Sequence, residues 1–296
     1  LRFLSASLLI TLLLFSYSAD AFAAGQAVKP ASSDKLNRQI DTWLKGLGAE
    51  PGFKKLLTAK REIMPIGPGT HGWVVHFLNG NKTTGYMIVH ALPNDRGYHL
   101  TEYGLGEHPL FAMSTLHDGL ARLGLTAADN GNKPLLKERL YINPLLAVWH
   151  IHTTEGTSLY LDAYTAEELP IGAEQWASTA EAGESSYLLT GVTSLASSPK
   201  LERAVRGQSF DLYARLPWLT GQPLRIKDSK MLAGKLSGKA ELRLTSEWFD
   251  GSWLAVAPLN GIHVWTGGIA YIQIEQEEGT RYFLYDEVKR HASVYE

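Results

Sequence analysis

Cysteine is absent from the 296-residue chain. Its absence excludes thiol nucleophiles, thiolate metal sites, disulfide staples and attachment through a lipidated cysteine, so packing alone must hold the fold together. An excess of one charge is missing too: 28 Lys and Arg stand against 30 Asp and Glu, for a formal net charge of -2. Without a basic stripe to follow a phosphate backbone, nucleic acid is not an expected partner. No G-x-S-x-G elbow, H-E-x-x-H helix, complete phosphate loop or calcium loop occurs, and no cofactor is expected. Ser197-Ser-Pro-Lys200 has the S-x-x-K spacing of penicillin-binding enzymes, but its Ser-Asp-Asn and Lys-Thr-Gly partners are lacking.

Long apolar runs are confined to the start. Arg2 precedes an apolar stretch at residues 4–17, and Ala21-Phe22-Ala23 offers the small residues a signal peptidase requires. That stretch is shorter than the roughly 20 residues that span a bilayer. A signal peptide at 1–23, a tether at 24–33 and an exported protein, secreted or associated with the cell wall, are the expectation. No transmembrane span is expected after processing. The rest is 45% hydrophobic and 20% charged across the whole chain, an ordinary globular composition.

Periodicity outlines the mature chain. Leu36, Ile40, Trp43, Leu44 and Leu47 recur at three- and four-residue spacing behind Ser33-Asp34, which predicts an amphipathic helix. A second short helix is expected at 51–60, with Pro51 in its first turn. From Gly72 the period changes to that of strands: 73–78 and 85–91 form a hairpin around Asn79-Gly-Asn-Lys82, and a third strand runs from Tyr98 to Tyr103. Met113, Leu116, Leu120 and Leu123 mark a helix at 112–125. A strand at 135–142 then leads into a hairpin bent at Glu155-Gly156. Residues 173–199 are rich in Ala, Ser, Thr, Glu and Gly and predict a loop or linker region with room for one short helix. After Phe210 aromatic density rises with Tyr213, Trp218, Trp248, Phe249, Trp253 and Trp265, and four more strands are expected between 240 and 285.

The fold class expected is α+β: antiparallel hairpins and sheets packed by amphipathic helices, with a smaller β-rich C-terminal unit. The boundaries expected are an N-terminal domain at 34–172, a linker at 173–207 and a C-terminal domain at 208–296. The order of helix, strand and hairpin over 112–170, ending in Asp162-Ala-Tyr-Thr-Ala-Glu-Glu-Leu169, resembles the PepSY family of exported bacterial domains. Those domains close their strands on an Asp-Ala-x-Thr-Gly-Glu-like turn, and Ala166 stands where the family prefers glycine. Residues 72–106, with Gly85-Tyr-Met-Ile-Val and Leu100-Thr-Glu-Tyr-Gly, are similar to the inhibitory pro-regions of secreted bacterial peptidases. The resemblance implies a partner that is a secreted peptidase or another envelope protein.

Three sets of residues are candidates for a site. His150 and His152 alternate on one strand, so both imidazoles project from the same face and could share a metal ion. A two-residue bend at Glu155-Gly156 would set Leu159 and Leu161 opposite them and turn Asp162 to the face of Trp149, leaving the third ligand to His76, His90 or His99 on a neighbouring strand. Trp248, Trp253 and Trp265, if exposed together, could stack on sugar rings or grip a peptide; buried, they are the core of a small β unit, the reading favoured for large aromatics in a chain without disulfides. A hydrolase of wall polymer or peptide would draw on His71, His90, His150, His152, Asp162 and Asp286.

The function expected is an exported, non-enzymatic binding protein whose partner is an extracellular protein such as a peptidase, or a cell-wall polymer. The alternatives are that hydrolase and a wall-binding module in the last third.

Overall fold

The computed structural model describes residues 33–67, 70–126, 135–153, 156–189, 195, 197–276 and 279–296. The expected signal peptide and nearly all of the expected tether lie outside them. Among the described residues no helix is long and apolar enough to cross a membrane.

Helix α1 (Ser33–Gly46) buries the predicted stripe, with Leu36, Ile40, Trp43, Leu44 and Leu47 all inside. The expected second helix is only a 3-10 turn, Lys54–Leu57. From Lys60 the chain enters β1 (Lys60–Ile66), a strand that the sequence pattern had not marked. It pairs with β2 (Gly72–Asn79), which turns at Gly80 into β3 (Lys82–Ala91), and β4 (Tyr98–Gly106) completes an antiparallel meander. Gly80 takes φ 61°, the left-handed value that a two-residue hairpin turn demands.

Helix α2 (Met113–Arg122) follows, with Leu116 and Leu120 buried and the outer members of its stripe, Met113 and Leu123, exposed. Strands β5 (Leu136–Asn143), β6 (Leu146–His152) and β7 (Ser158–Asp162) form a separate three-stranded sheet. Asp162 closes β7: its Oδ1 accepts from Tyr164 N, Thr165 N and Thr165 Oγ1. Ala166 then sits at φ 53°, a conformation that glycine adopts without steric cost.

The stretch expected as a linker holds helix α3 (Ala173–Leu189) and strand β8 (Leu201–Arg206). After the short α4 (Pro217–Thr220) and α5 (Ser229–Ser237) come β9 (Leu242–Trp248), β10 (Trp253–Trp265), β11 (Ala270–Gln276) and β12 (Gly279–Leu284). A turn of helix, α6 (Tyr285–Val288), leads to the last strand, β13 (Ser293–Tyr295).

The α+β class holds, with antiparallel sheets packed by helices and one sheet smaller and separate. That smaller sheet, however, is β5–β7. Strands from beyond residue 208 join the large sheet, because β12 pairs with β4 along Gly279–Leu284 and Tyr98–Gly106. The large sheet runs β1-β2-β3-β4-β12-β11-β10-β9-β13, with β8 added beside β10. Pairing removes what would otherwise be two exposed strand edges, one on each half of the chain. β10 is 13 residues long and carries β9 along its first part and β8 along its second. Pro258 lies near the end of the β9–β10 ladder, opposite Arg243, and just before the irregularity in the β10–β11 pairing between Leu259 and Gly261.

One face of the large sheet packs α1 through Val75, Phe77, Met87, Val89, Tyr103, Tyr271 and Tyr282. On the other face, β1–β3 meet α2 and the inner side of the small sheet (Trp149, Ile151, Leu161), while β9–β12 meet α5. The outer side of the small sheet, with Leu146, Val148 and Tyr160, is covered by Trp176 of α3 and by Trp248, Phe249 and Trp253.

A polar cluster sits at the β4–β12 seam. Glu102 and Arg281 form a buried ion pair at 2.8 Å. Tyr86 and Tyr141 both donate to the Glu102 carboxylate, and an Arg281 NH2 group donates to Pro144 O at 3.0 Å. Burial works against the Arg281 charge, but Glu102, Tyr86 and Asp162 together outweigh it and hold the guanidinium pKa above its ordinary value.

Candidate functional site

The expected two-residue bend between β6 and β7 is a wider loop. Thr153 N donates to Thr157 O at 2.9 Å, and Gly156, at φ 82°, donates to Thr153 O at 3.1 Å. One more loop residue moves the pairing by one, and such a shift sends every side chain of a strand to the opposite face. His150 therefore lies opposite Tyr160 and His152 opposite Ser158, where Leu161 and Leu159 had been expected. Asp162 accordingly pairs with Val148, in register with the histidine face of the hairpin and not with Trp149.

The third group comes from β5. Glu138 pairs directly with His150, and its Oε2 accepts hydrogen bonds from His150 Nδ1 at 2.9 Å and His152 Nε2 at 3.2 Å. One ligand atom from each of the three residues lies within 4.8 Å of the others. The Tyr160 ring stacks on His150 at 4.5 Å between centroids and 6° between planes, and Trp176 stacks on Tyr160 at 5.5 Å. His150 is nearly covered, with a side-chain exposure of 12%, while Glu138 and His152 show 34% and 39% to solvent. Burial opposes the Glu138 charge, yet the bonds from His152 and His150 hold its carboxyl below the usual range. Burial likewise lowers the His150 pKa, against the pull of Glu138, so that ring is neutral at pH 7. Its Nε2 is buried without a hydrogen-bond partner.

The other histidines expected as third ligands serve the large sheet. His76 Nε2 bonds Leu110 O at 2.8 Å, His90 Nδ1 meets Thr101 Oγ1 at 2.9 Å, and His99 Nε2 meets Glu287 at 3.0 Å. Of the hydrolase pieces, His150 and His152 meet, while His90 bonds Thr101 in the large sheet, Asp162 closes the turn after β7, Asp286 pairs with Lys289, and His71 is exposed at the start of β2. The segment around Ser197-Ser-Pro-Lys200 is not helical, so serine and lysine do not share a helix face.

The tryptophans divide between two cores. Trp248 and Trp253 are cross-strand neighbours, half-buried against the small sheet. Trp265 is fully buried on the α1 side, its indole N–H donating to Tyr103 OH at 3.1 Å. No shared exposed face exists, because β10 runs from one core to the other.

Exposed apolar surface gathers instead in the loop around α4. Tyr213 and Leu219 are 67% and 66% exposed, Leu216 is also exposed, and Trp218 meets Tyr213 edge to face. The base of this loop is fixed. The fully buried Arg243 donates to Leu212 O at 3.1 Å and Asp211 O at 3.3 Å, and its guanidinium lies 4.6 Å above the Phe210 ring. Arg215 pairs with Glu241, and Leu224 N bonds Val294 O.

The two ends of the large sheet are poorly suited to docking an added strand. β1, at one end of the large sheet, carries Lys60 and Pro65, and β13, at the other, has three residues. No family model, curated protein or solved structure matches this chain.

Proposed function

We propose that this is an exported, non-enzymatic binding protein whose contact surface is the apolar loop around α4. The observation that carries the proposal is the combination of exposure and anchoring in that loop. Tyr213, Leu216 and Leu219 stand in solvent while buried Arg243 pins the backbone beneath them. Apolar side chains grouped at the surface favour contact with another molecule, and a loop held in place loses little further entropy on binding. The resemblance of residues 72–106 and 112–170 to peptidase pro-regions and PepSY domains points to a secreted peptidase or envelope protein as the partner. Sugar rings of a wall polymer are the second candidate, since Tyr213 and Trp218 offer ring surface.

The test compares the full chain with a Tyr213→Ser, Leu219→Ser variant in pull-downs from culture supernatant and in sedimentation with purified cell wall. Recovery of a peptidase or envelope protein by the native chain alone supports the protein partner, and co-sedimentation lost in the variant supports the polymer. Equal behaviour of the two chains in both assays removes the loop as the contact surface.

A further inference from the structure

The small sheet carries chemistry that the contact loop does not use. Glu138, His150 and His152 project from one face of two adjacent strands and meet at a single carboxylate oxygen. We propose that these three residues bind a divalent transition-metal ion, with zinc the best match.

The donor set argues for that class. Imidazole nitrogen suits zinc, copper, nickel and iron, whereas calcium and magnesium call for oxygen ligands throughout. Dimensions agree with zinc as well. Bonds of about 2.0–2.1 Å arranged tetrahedrally separate the ligand atoms by about 3.4 Å. The two nitrogens stand 2.9 and 3.2 Å from Glu138 Oε2, and all three atoms fall within 4.8 Å of one another. Movement of the carboxylate outward by about half an ångström opens the centre to an ion of this size.

The surroundings hold the ligands in place. Tyr160, backed by Trp176, fixes the plane of the His150 ring. Pairing between β5 and β6 fixes Glu138 opposite it. A metal bond at His150 Nδ1 would replace the hydrogen bond that this nitrogen makes to Glu138. Three protein ligands leave a fourth position for water or an incoming group, and the half-exposed Glu138 and His152 turn that position toward solvent.

The experiment is calorimetric titration of the chelator-treated full chain with zinc chloride. One equivalent is expected to bind with micromolar or tighter affinity, and calcium and magnesium are expected to give no saturable heat. Glu138→Gln and His152→Gln should each weaken zinc at least tenfold, while His71→Gln, remote from the cluster, leaves it unchanged. Both ligand substitutions are at partly exposed side chains, and circular dichroism verifies that the variants fold. Cobalt(II) supplies a second readout: its visible absorption bands should appear with the native chain and vanish with His152→Gln. Absence of saturable zinc binding, or equal zinc affinity in the native chain and both ligand variants, overturns the proposal.

Discussion

Two carboxylate clusters, one on each sheet, invite comparison. At the β4–β12 seam Glu102 is wholly buried and surrounded by donors from Arg281, Tyr86 and Tyr141. The Arg281 guanidinium is itself sandwiched near the rings of Phe283 and Tyr164. On the small sheet Glu138 and His152 are each more than one-third exposed, and both face the same carboxylate–imidazole cluster. The first cluster is closed, since each charge meets its complement inside the protein and no outside group can enter. The second is open on one side, through Glu138 and His152. Satisfied buried charge ties segments of a fold together, whereas a half-exposed group with unused ligand capacity is available to something from solution.

The same contrast divides the histidines, and acid should expose it most strongly. His76, His90 and His263 are buried and neutral, their pKa values lowered by burial from 6.5 to about 4, about 3 and about 3. In the unfolded chain each takes up a proton near pH 6.5, while in the fold each resists it. The unfolded state therefore binds more protons, and stability falls as pH drops below 6.5 toward 4. Each lowered histidine contributes at most about 1.4 kcal/mol per pH unit in that window, so the three together contribute up to about 4 kcal/mol per unit. Urea unfolding at pH 7, 6 and 5 measures this, and equal stabilities at pH 7 and 5 would contradict the buried, neutral assignment.

Next in size is the closed cluster itself. Arg281→Met leaves the Glu102 carboxylate buried without its counter-charge and should cost about 3–5 kcal/mol. The double variant Arg281→Met, Glu102→Leu removes both charges and should recover most of that loss. Equilibrium denaturation of the two variants distinguishes a true pair from an incidental contact: if the double variant is no more stable than the single one, the seam is held by packing and not by charge balance.

The smallest effects belong to the open positions. In metal-free buffer His152→Gln and Leu219→Ser should each change stability by less than about 0.5 kcal/mol, as expected of partly or mostly exposed sites. A loss of several kcal/mol at either would mean that it is structural, and the contrast with the seam would disappear.

Much of the fold was legible in local patterns. The α1 stripe could be read because three- and four-residue spacing is a property of one helix, and the β2–β3 hairpin because Asn79-Gly-Asn-Lys82 is short-range turn chemistry. β1 was not, since Lys60, Glu62 and Pro65 belong to a guarded edge strand whose burial pattern is weak. The union of β4 with β12 was hidden for a different reason. The two strands are far apart in sequence, and the seam relies on close backbone approach: a Cβ on Gly104 would come within 2.5 Å of Thr280 O.

The histidine site shows where sequence stops. That His150 and His152 share a face follows from the two-residue period of a strand and needs no tertiary information. Whether a carboxylate joins them depended on pairing. The turn that pairs Asn143 with Leu146 would, continued without interruption, place Glu138 opposite Ile151, on the wrong face. An irregularity between Tyr141 and Asn143 shifts the pairing by one and brings Glu138 opposite His150. The sequence by itself determined which residues alternate, which are apolar and which can ligate. Only the tertiary structure decided which of them meet, because a single extra residue in a strand or loop, favoured by packing on both sides of the sheet, reverses every side chain beyond it.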